Sequence, residues 1–344
     1  MMKKTLLLFI TALFAFVLAA CGSSSTTENS TTNGSTDEET SGEASNAEKE
    51  VIRIGYQKGN TINILKEHGN LDTALEEAGY AVEWNVFPTG TVLLEALLTD
   101  NIDFGHASDG NAVFMQAGGH PLNYVASEAP YPEGVALVVK ADSDIQSVED
   151  FKGKKIGVTR GGNQHYLLLV ALEKAGVSQD EVEIIFYKDA AEGLAAFTKG
   201  EFDVYGSWDP YLAIVENTVE TRTIVSGSDL TENRTFYFAT EKLLSEKPEV
   251  AKIILEELQN ADQWANENKD EVAEILAAEL GLDAAPLKQA NNRRTFGVQK
   301  IDEAIITSQQ QLADTFFNAG ILETEISVKD AVNVDAAIIP SNIE

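Results

Sequence analysis

Residues about one hundred positions apart repeat one another, and that duplication restricts the chain to folds built from two similar halves. Val51-Ile52-Arg53-Ile54-Gly55-Tyr56 has the apolar composition of a buried strand, and Lys155-Ile156-Gly157-Val158-Thr159 repeats it. Both copies run Ile-Gly-x-x-Lys/Arg-Gly and then enter a helical pattern. Val82–Phe87 aligns with Val182–Tyr187, Leu94–Leu97 with Leu194–Phe197, Ile102-Asp103-Phe104 with Phe202-Asp203-Val204, and Ser108-Asp109-Gly110 with Trp208-Asp209-Pro210. Each copy therefore reads strand, helix, strand, helix, strand, helix. That alternation predicts α/β lobes with parallel strands, because parallel neighbours need a crossover and a helix is the usual one.

In open α/β sheets, ligands sit beyond the carboxyl ends of the strands. Here those ends carry Gln57–Asn60, Pro88-Thr89-Gly90, Ser108–Asn111, Arg160–His165, Lys188-Asp189 and Trp208–Tyr211. Two lobes face to face place these loops around one cleft. Several of them open helices, whose free N–H groups and positive dipole ends favour a small anion. Taken singly, the Gly, Asp, Asn, Ser and Thr residues are also ordinary caps and turn formers. Their recurrence at matched positions raises the functional reading. The strands expected at 134–140 and 235–239 are where the chain should pass between lobes. Lobe one then spans 51–139 plus 240–344 and lobe two 140–239, joined by a two-strand hinge. The mainly helical segment after 241 should pack on lobe one.

The N-terminus carries a separate message. Lys3 and Lys4 precede an apolar stretch from Thr5 to Leu18, followed by Ala19 and Ala20. Residues 1–20 read as a secretory leader, since a bilayer-spanning helix needs ~20 apolar residues. Leu18-Ala19-Ala20-Cys21-Gly22 resembles the lipobox of bacterial lipoproteins. The resemblance implies cleavage before Cys21, lipid on its sulfur and an anchor on the extracytoplasmic face of the cell membrane. Residues 22–50 hold almost only Ser, Thr, Gly, Asn and acidic residues, a composition expected to form a disordered tether. The chain has 55 acidic and 25 basic residues, net −30. The leader contributes +2 and the tether −6, which leaves −26 on residues 51–344. A chain this acidic is a poor nucleic-acid binder. Its single cysteine excludes internal disulfides and a CxxC redox centre.

Several motifs together resemble the periplasmic-type solute-binding proteins of ABC importers, and within them the aliphatic sulfonate binding proteins. They are Ile54–Gly59, Gly162–Leu168, Trp208-Asp209-Pro210-Tyr211, Asn233-Arg234-x-Phe236-Tyr237 and Asn292-Arg293-Arg294, and the resemblance runs from about 51 to 320. It implies a periplasmic binding protein-like α/β fold with a ligand cleft between two lobes. It also implies capture of an alkanesulfonate, closure, delivery to a permease with its ATPase, no catalysis, no cofactor and a monomer. Taurine, nitrate or a pyrimidine precursor is the alternative cargo.

Carried over residue by residue, Gln57 should donate its amide. Thr89 and Gly90 belong to the second cleft loop, and Ser108 and Asp109 to the third. Gly162 and Asn163 should present N–H groups to sulfonate oxygens, and His165 matches the family's histidine. Trp208 could pack on an alkyl chain, and Asp209 could bind an amine or cap the next helix. Arg234 and Arg294 either reach the anion or only link the lobes. Two departures from the family's pattern stand out: Gly110-Asn111 in place of prolines, and Arg160 in place of lysine. His68, His106 and His120 have no metal-ligand spacing and read as structural, and no metal site is expected. No Ser has a nucleophile-elbow context. An enzyme related to pyrimidine-synthesising proteins would need a cytosolic cofactor, which fits poorly with an exported anchor, and a surface adhesin is suggested by the tether alone.

Overall fold

The computed structural model describes residues 49–343 except 229 and 333–335. The leader, Cys21 and all but the last two residues of the tether lie outside the described residues. Among the described residues no helix is long and apolar enough to cross a membrane.

The first copy of the repeat is β1 (Glu50–Tyr56), α1 (Thr61–His68), α2 (Leu71–Glu77), β2 (Tyr80–Val86), α3 (Gly90–Leu98), β3 (Phe104–Ser108) and α4 (Asp109–Ala117). After β4 (Tyr124–Glu128) and β5 (Val135–Lys140) comes the second copy: β6 (Lys155–Val158), α5 (Asn163–Ala175), β7 (Glu183–Phe186), α6 (Ala190–Lys199), β8 (Val204–Trp208) and α7 (Tyr211–Thr218). Then follow β9 (Thr221–Ser226), β10 (Thr235–Ala239), α8 (Glu241–Glu246), α9 (Pro248–Glu267), α10 (Lys269–Leu280), α11 (Ala284–Asn292), β11 (Val298–Gln299) and α12 (Glu303–Asn318). The helical pattern after 241 thus becomes five helices.

One sheet has the order β11-β4-β10-β3-β1-β2 and the other β7-β6-β8-β5-β9. In each, the first strand of the repeat lies between the second and third and runs parallel to both. The repeat extends to single hydrogen bonds. Asp103 accepts the Arg53 N–H at 2.8 Å, and Asp203 accepts the Lys155 N–H at 2.7 Å. Each aspartate thereby clips the start of the third strand to the start of the first, the strand-start role its position suggests.

The crossing points correct the expected lobe boundaries. β5 pairs antiparallel with β8 and β9, inside the second sheet. β10 pairs antiparallel with β3 and β4, inside the first. The chain therefore changes lobes before each strand, at 129–134 and 227–234, and not after it near 140 and 239. The reason is pairing: Val135–Val139 is wholly buried, and an apolar strand buried on both faces needs hydrogen-bonded neighbours on both edges. The second sheet supplies them in β8 and β9. β9 itself, Thr221–Ser226, has too little apolar periodicity to be read as a strand beforehand.

Lobe one buries an apolar layer in which β1, β4 and β10 meet α1, α2, α8 and α9. A second layer joins α3 and α4 to the same sheet's other face. In lobe two, α5 covers one face and α6 with α7 the other. A further cluster of Val113, Tyr166, Leu169, Leu312 and Phe316 ties α4 of lobe one and α5 of lobe two to α12.

Candidate functional site

The carboxyl ends of the repeat strands in both lobes open into helix-capping loops, and most caps are taken by the chain itself. Asn60 accepts from Asn63 N–H, Thr89 from Val92 N–H, Ser108 from Asn111 N–H and Asp189 from Glu192 N–H. Asp209 accepts the Ala213 N–H at 3.0 Å, a cap for α7. The capping roles open to Thr89, Ser108 and Asp209 are thus occupied. At α5, Gly162 offers no side chain to cap the helix; the Asn163 Oδ1 takes the Gln164 N–H at 3.1 Å instead, and the Asn163 N–H at the positive end of the helix has no partner among the described residues.

The loop before α1 is held by a histidine that spacing arguments set aside. His106 on β3 is 3% exposed. Its Nε2 lies 3.2 Å from the Gln57 backbone N–H and 2.6 Å from Asn60 Nδ2. Both neighbours are donors, so Nε2 is the unprotonated nitrogen. Burial pushes the imidazole down to about 4, with the Glu128 charge partly opposing. The Gln57 side chain makes no hydrogen bond among the described residues, while its backbone N–H is held by His106.

His165 plays the matching role in lobe two. It is wholly buried, and its Nδ1 accepts the Gly161 N–H at 3.1 Å. That leaves Nε2 as an N–H with no partner in the chain. Burial, helped by the Arg160 charge, holds this imidazole down at about 4 and hence neutral. Its ring packs edge-on to Phe186 of its own lobe at 5.3 Å and lies 5.7 Å from Phe316. Trp208 is half-buried, stands edge-on to Tyr211 at 5.4 Å, and has a free indole N–H.

Neither arginine singled out in the sequence is a spare cation. Arg234 pairs with Glu232 at 2.5 Å and donates to the Glu128 carbonyl and to Gln299 Oε1. Arg294 pairs with Glu128 at 2.7 Å and lies over the rings of Tyr131 and Phe296. Asp109 is buried; it accepts N–H groups from Gly110 and Arg234, and burial pushes its carboxyl up to about 6. Asp209 is occupied as well: Arg293 lies 3.3 Å from both of its oxygens, and the Tyr131 hydroxyl is 2.5 Å from Oδ2.

Some of the contacts that bring the lobes together were partly missed by sequence reasoning. Asn163 of lobe two donates to Asn233 in the second crossing at 2.6 Å. Gly110 of α4 faces the Gly161 carbonyl so closely that a Cβ on Gly110 would stand 2.3 Å from that oxygen. A Cβ on Gly161, whose φ is +71°, would stand 2.2 Å from Phe114. The departure from the family's prolines at 110 is therefore a requirement of close lobe approach. Gly90 is buried against Asn111, where a Cβ would stand 2.7 Å from its Oδ1. Among the described residues no group of three or more His, Cys, Asp or Glu side chains is placed to hold a metal.

Two α/β lobes joined by two crossings make the periplasmic binding protein-like fold. The chain belongs to the NMT1/THI5-like family, which matches residues 75–272. A relative from Escherichia coli (strain K12), named for aliphatic sulfonates binding, is 30% identical over 84% of this chain and 90% of its own length. The structure is similar to that of the periplasmic aliphatic sulphonate binding protein SsuA from Escherichia coli, with TM-score 0.78, 29% identity, and 83% of this chain and 92% of that one covered. It is also similar to the alkanesulfonate-binding protein SsuA from Xanthomonas axonopodis pv. citri bound to MOPS, with TM-score 0.75, 29% identity and coverage of 84% and 100%. The desulfurization enzyme DszB shares the fold at 16% identity and TM-score 0.62, with 83% of this chain and 97% of that one covered. The fold alone therefore does not separate binding from catalysis.

Two outcomes test this geometry. Gly110→Ala should act as a wedge: outside its own helix, the nearest lobe-one atom to its Cβ is on Phe316, at 3.8 Å, so melting should stay within about 2 °C of wild type. Ligand affinity, read by calorimetry, should fall roughly tenfold or more because the closed form is excluded. His106 is neutral in the fold down to about pH 4, whereas the unfolded chain takes up the proton near 6.5. Stability linked to His106 is therefore present above pH 6.5 and lost as pH falls toward 4. Relative to His106→Gln, the wild type should lose about 3 kcal/mol between pH 7 and pH 4 in urea unfolding.

Proposed function

We propose that this chain is the extracytoplasmic solute-binding component of an ABC importer, taking an aliphatic sulfonate in the interlobe cleft and delivering it to the permease. The observation that carries the reading is the likeness, over more than four-fifths of the chain, to two solved sulfonate-binding proteins at 29% identity. The site chemistry agrees with it. A sulfonate is a weakly basic, tetrahedral anion with three acceptor oxygens and no proton to give. The cleft offers neutral donors to match: the Asn163 N–H at the uncapped start of α5, the Gln57 amide and the Trp208 indole N–H. Gly90, Ser108, Asp109, His165 and Asp209 shape or support the surrounding turns. Arg234 and Arg294 keep their carboxylate partners and set the geometry of the lobes. The chain binds and releases its cargo without chemical change.

The same reading places the protein on the outer face of the cell membrane, held by lipid on Cys21 through the tether. Metabolic labelling with radioactive palmitate should mark the wild-type chain and leave Cys21→Ser unmarked; equal labelling of both would remove the anchor. For the cargo, calorimetric titration of ethanesulfonate, butanesulfonate, taurine, nitrate and a pyrimidine precursor against the tethered domain is the direct measurement. An alkanesulfonate should bind best, and failure of every alkanesulfonate to bind or to raise the melting temperature would end the sulfonate reading. Because capture rests on neutral donors inside the cleft, raising salt from 50 to 500 mM should change affinity by less than about threefold.

A further inference from the structure

Arg293 and Arg294 are neighbours that face opposite lobes, and only one of them is used inside lobe one. The segment carrying both is anchored there. Leu287 of α11 packs with Ile64, Ala265 and Phe296. Asn291 Nδ2 donates to the Lys269 carbonyl at 3.1 Å, and Lys269 Nζ to the Arg294 carbonyl at 2.7 Å. From this base Arg294 turns inward to Glu128, while Arg293 reaches out to lobe two. There its guanidinium pairs with Glu216 of α7 and with Asp209 at the end of β8. Gln289 adds two bonds to the same helix, donating to Glu216 at 2.6 Å and accepting from Asn217 at 2.7 Å.

These contacts take little from solvent-exposed charge. The Arg293 side chain is 18% exposed, Glu216 21% and Asp209 2%. Asp209 also takes the α7 cap and the Tyr131 hydroxyl, so its position is set from lobe two and from the first crossing at once. Separating α7 from α11 would leave a half-buried guanidinium and two carboxylates to be rehydrated singly, and a pair whose partners come from different lobes exists only at this lobe spacing. Charge pairs that lose their water on docking act chiefly on the dissociation rate.

We propose that Arg293 is a positioning residue for ligand capture: with Gln289 it clasps Glu216, Asp209 and Asn217 of lobe two, holds the lobes closed, and so sets the rate at which cargo leaves. It acts through lobe spacing and does not touch the cargo. The proposal rests on the binding-protein reading, and its test is built so that the two fail separately.

The test uses the full chain carrying Cys21→Ser, with spin labels at Asn101→Cys and Glu201→Cys, matched exposed positions in the turns before β3 and β8. Electron–electron distances are recorded without cargo, and butanesulfonate release is followed by stopped flow. Arg293→Ala should shift the cargo-free distances to longer values and raise the release rate about tenfold, with the association rate changed less than about twofold. Arg293→Lys should restore part of both. Glu216→Gln, a neutral replacement of similar shape, should give the same direction and serves if Arg293→Ala does not fold. Unchanged distances and an unchanged release rate in a folded variant would overturn the clasp. If no sulfonate binds any form, the cargo reading falls while the distance measurement still decides whether Arg293 holds the lobes together.

Discussion

The two lobes are separate because the chain crosses twice between two sheets, and one asparagine ties the two crossings together. Asn233 stands in the second crossing at φ 51°, a left-handed conformation that asparagine tolerates better than most residues. Its Nδ2 donates to the Tyr131 carbonyl in the first crossing at 2.6 Å, and its Oδ1 accepts from Asn163 at the mouth of α5. Both crossings and the start of the lobe-two helix are thus referenced to one side chain. Everything that depends on lobe spacing inherits that reference: the approach of Gly110 to Gly161, the reach of Arg293, and the direction in which α5 points.

The acidic composition at first looks unsuited to an anion. The structure resolves this by separating local from global electrostatics. Net charge acts through a field that salt screens within ~10 Å, whereas a helix N-terminus acts over one turn. Three buried or half-buried arginines are matched by carboxylates: Arg234 by Glu232, Arg294 by Glu128, and Arg293 by Asp209 and Glu216. Burial of these groups is tolerable because each charge is paired. In the proposed site Arg160, over the Phe186 ring at 5.7 Å, has no carboxylate partner among the described residues, and the other donors are neutral: backbone N–H, amide and indole groups, with two histidines held uncharged by burial. Such a set distinguishes anions by shape and acceptor placement more than by charge.

Much of the architecture was legible before any coordinates. The duplicated strand-loop-helix units map onto β1–α4 and β6–α7, including the paired aspartates 103 and 203, because apolar periodicity and loop composition are local signals. The long C-terminal helices were legible for the same reason. The lobe boundaries were not: the apolar runs at 135–139 and 235–239 look alike, and nothing in a buried strand's own sequence says which sheet supplies its neighbours. Likewise Thr89, Ser108 and Asp209 stand at the starts of α3, α4 and α7, and that their side chains are engaged in capping could not be told from a binding role in the sequence. Asn233 and Arg293 lie in recognisable motifs, but the partners they hold could not be read there, and Tyr131 and His106 stand in no motif at all.

The amino-acid order by itself determined the duplicated α/β plan and the single cysteine behind an apolar stretch, since each is written in spacing or composition, while the class of protein came from the resemblance of its motifs to a known family. Only the tertiary structure decided which sheet receives each crossing strand and which carboxylate each arginine holds. It also decided that Gly110 is required where the lobes touch. The physical reason is range. Propensity and periodicity act within a few residues, whereas ion pairs, cross-lobe contacts and strand partners join residues far apart in the chain, and their geometry exists only once the lobes have packed.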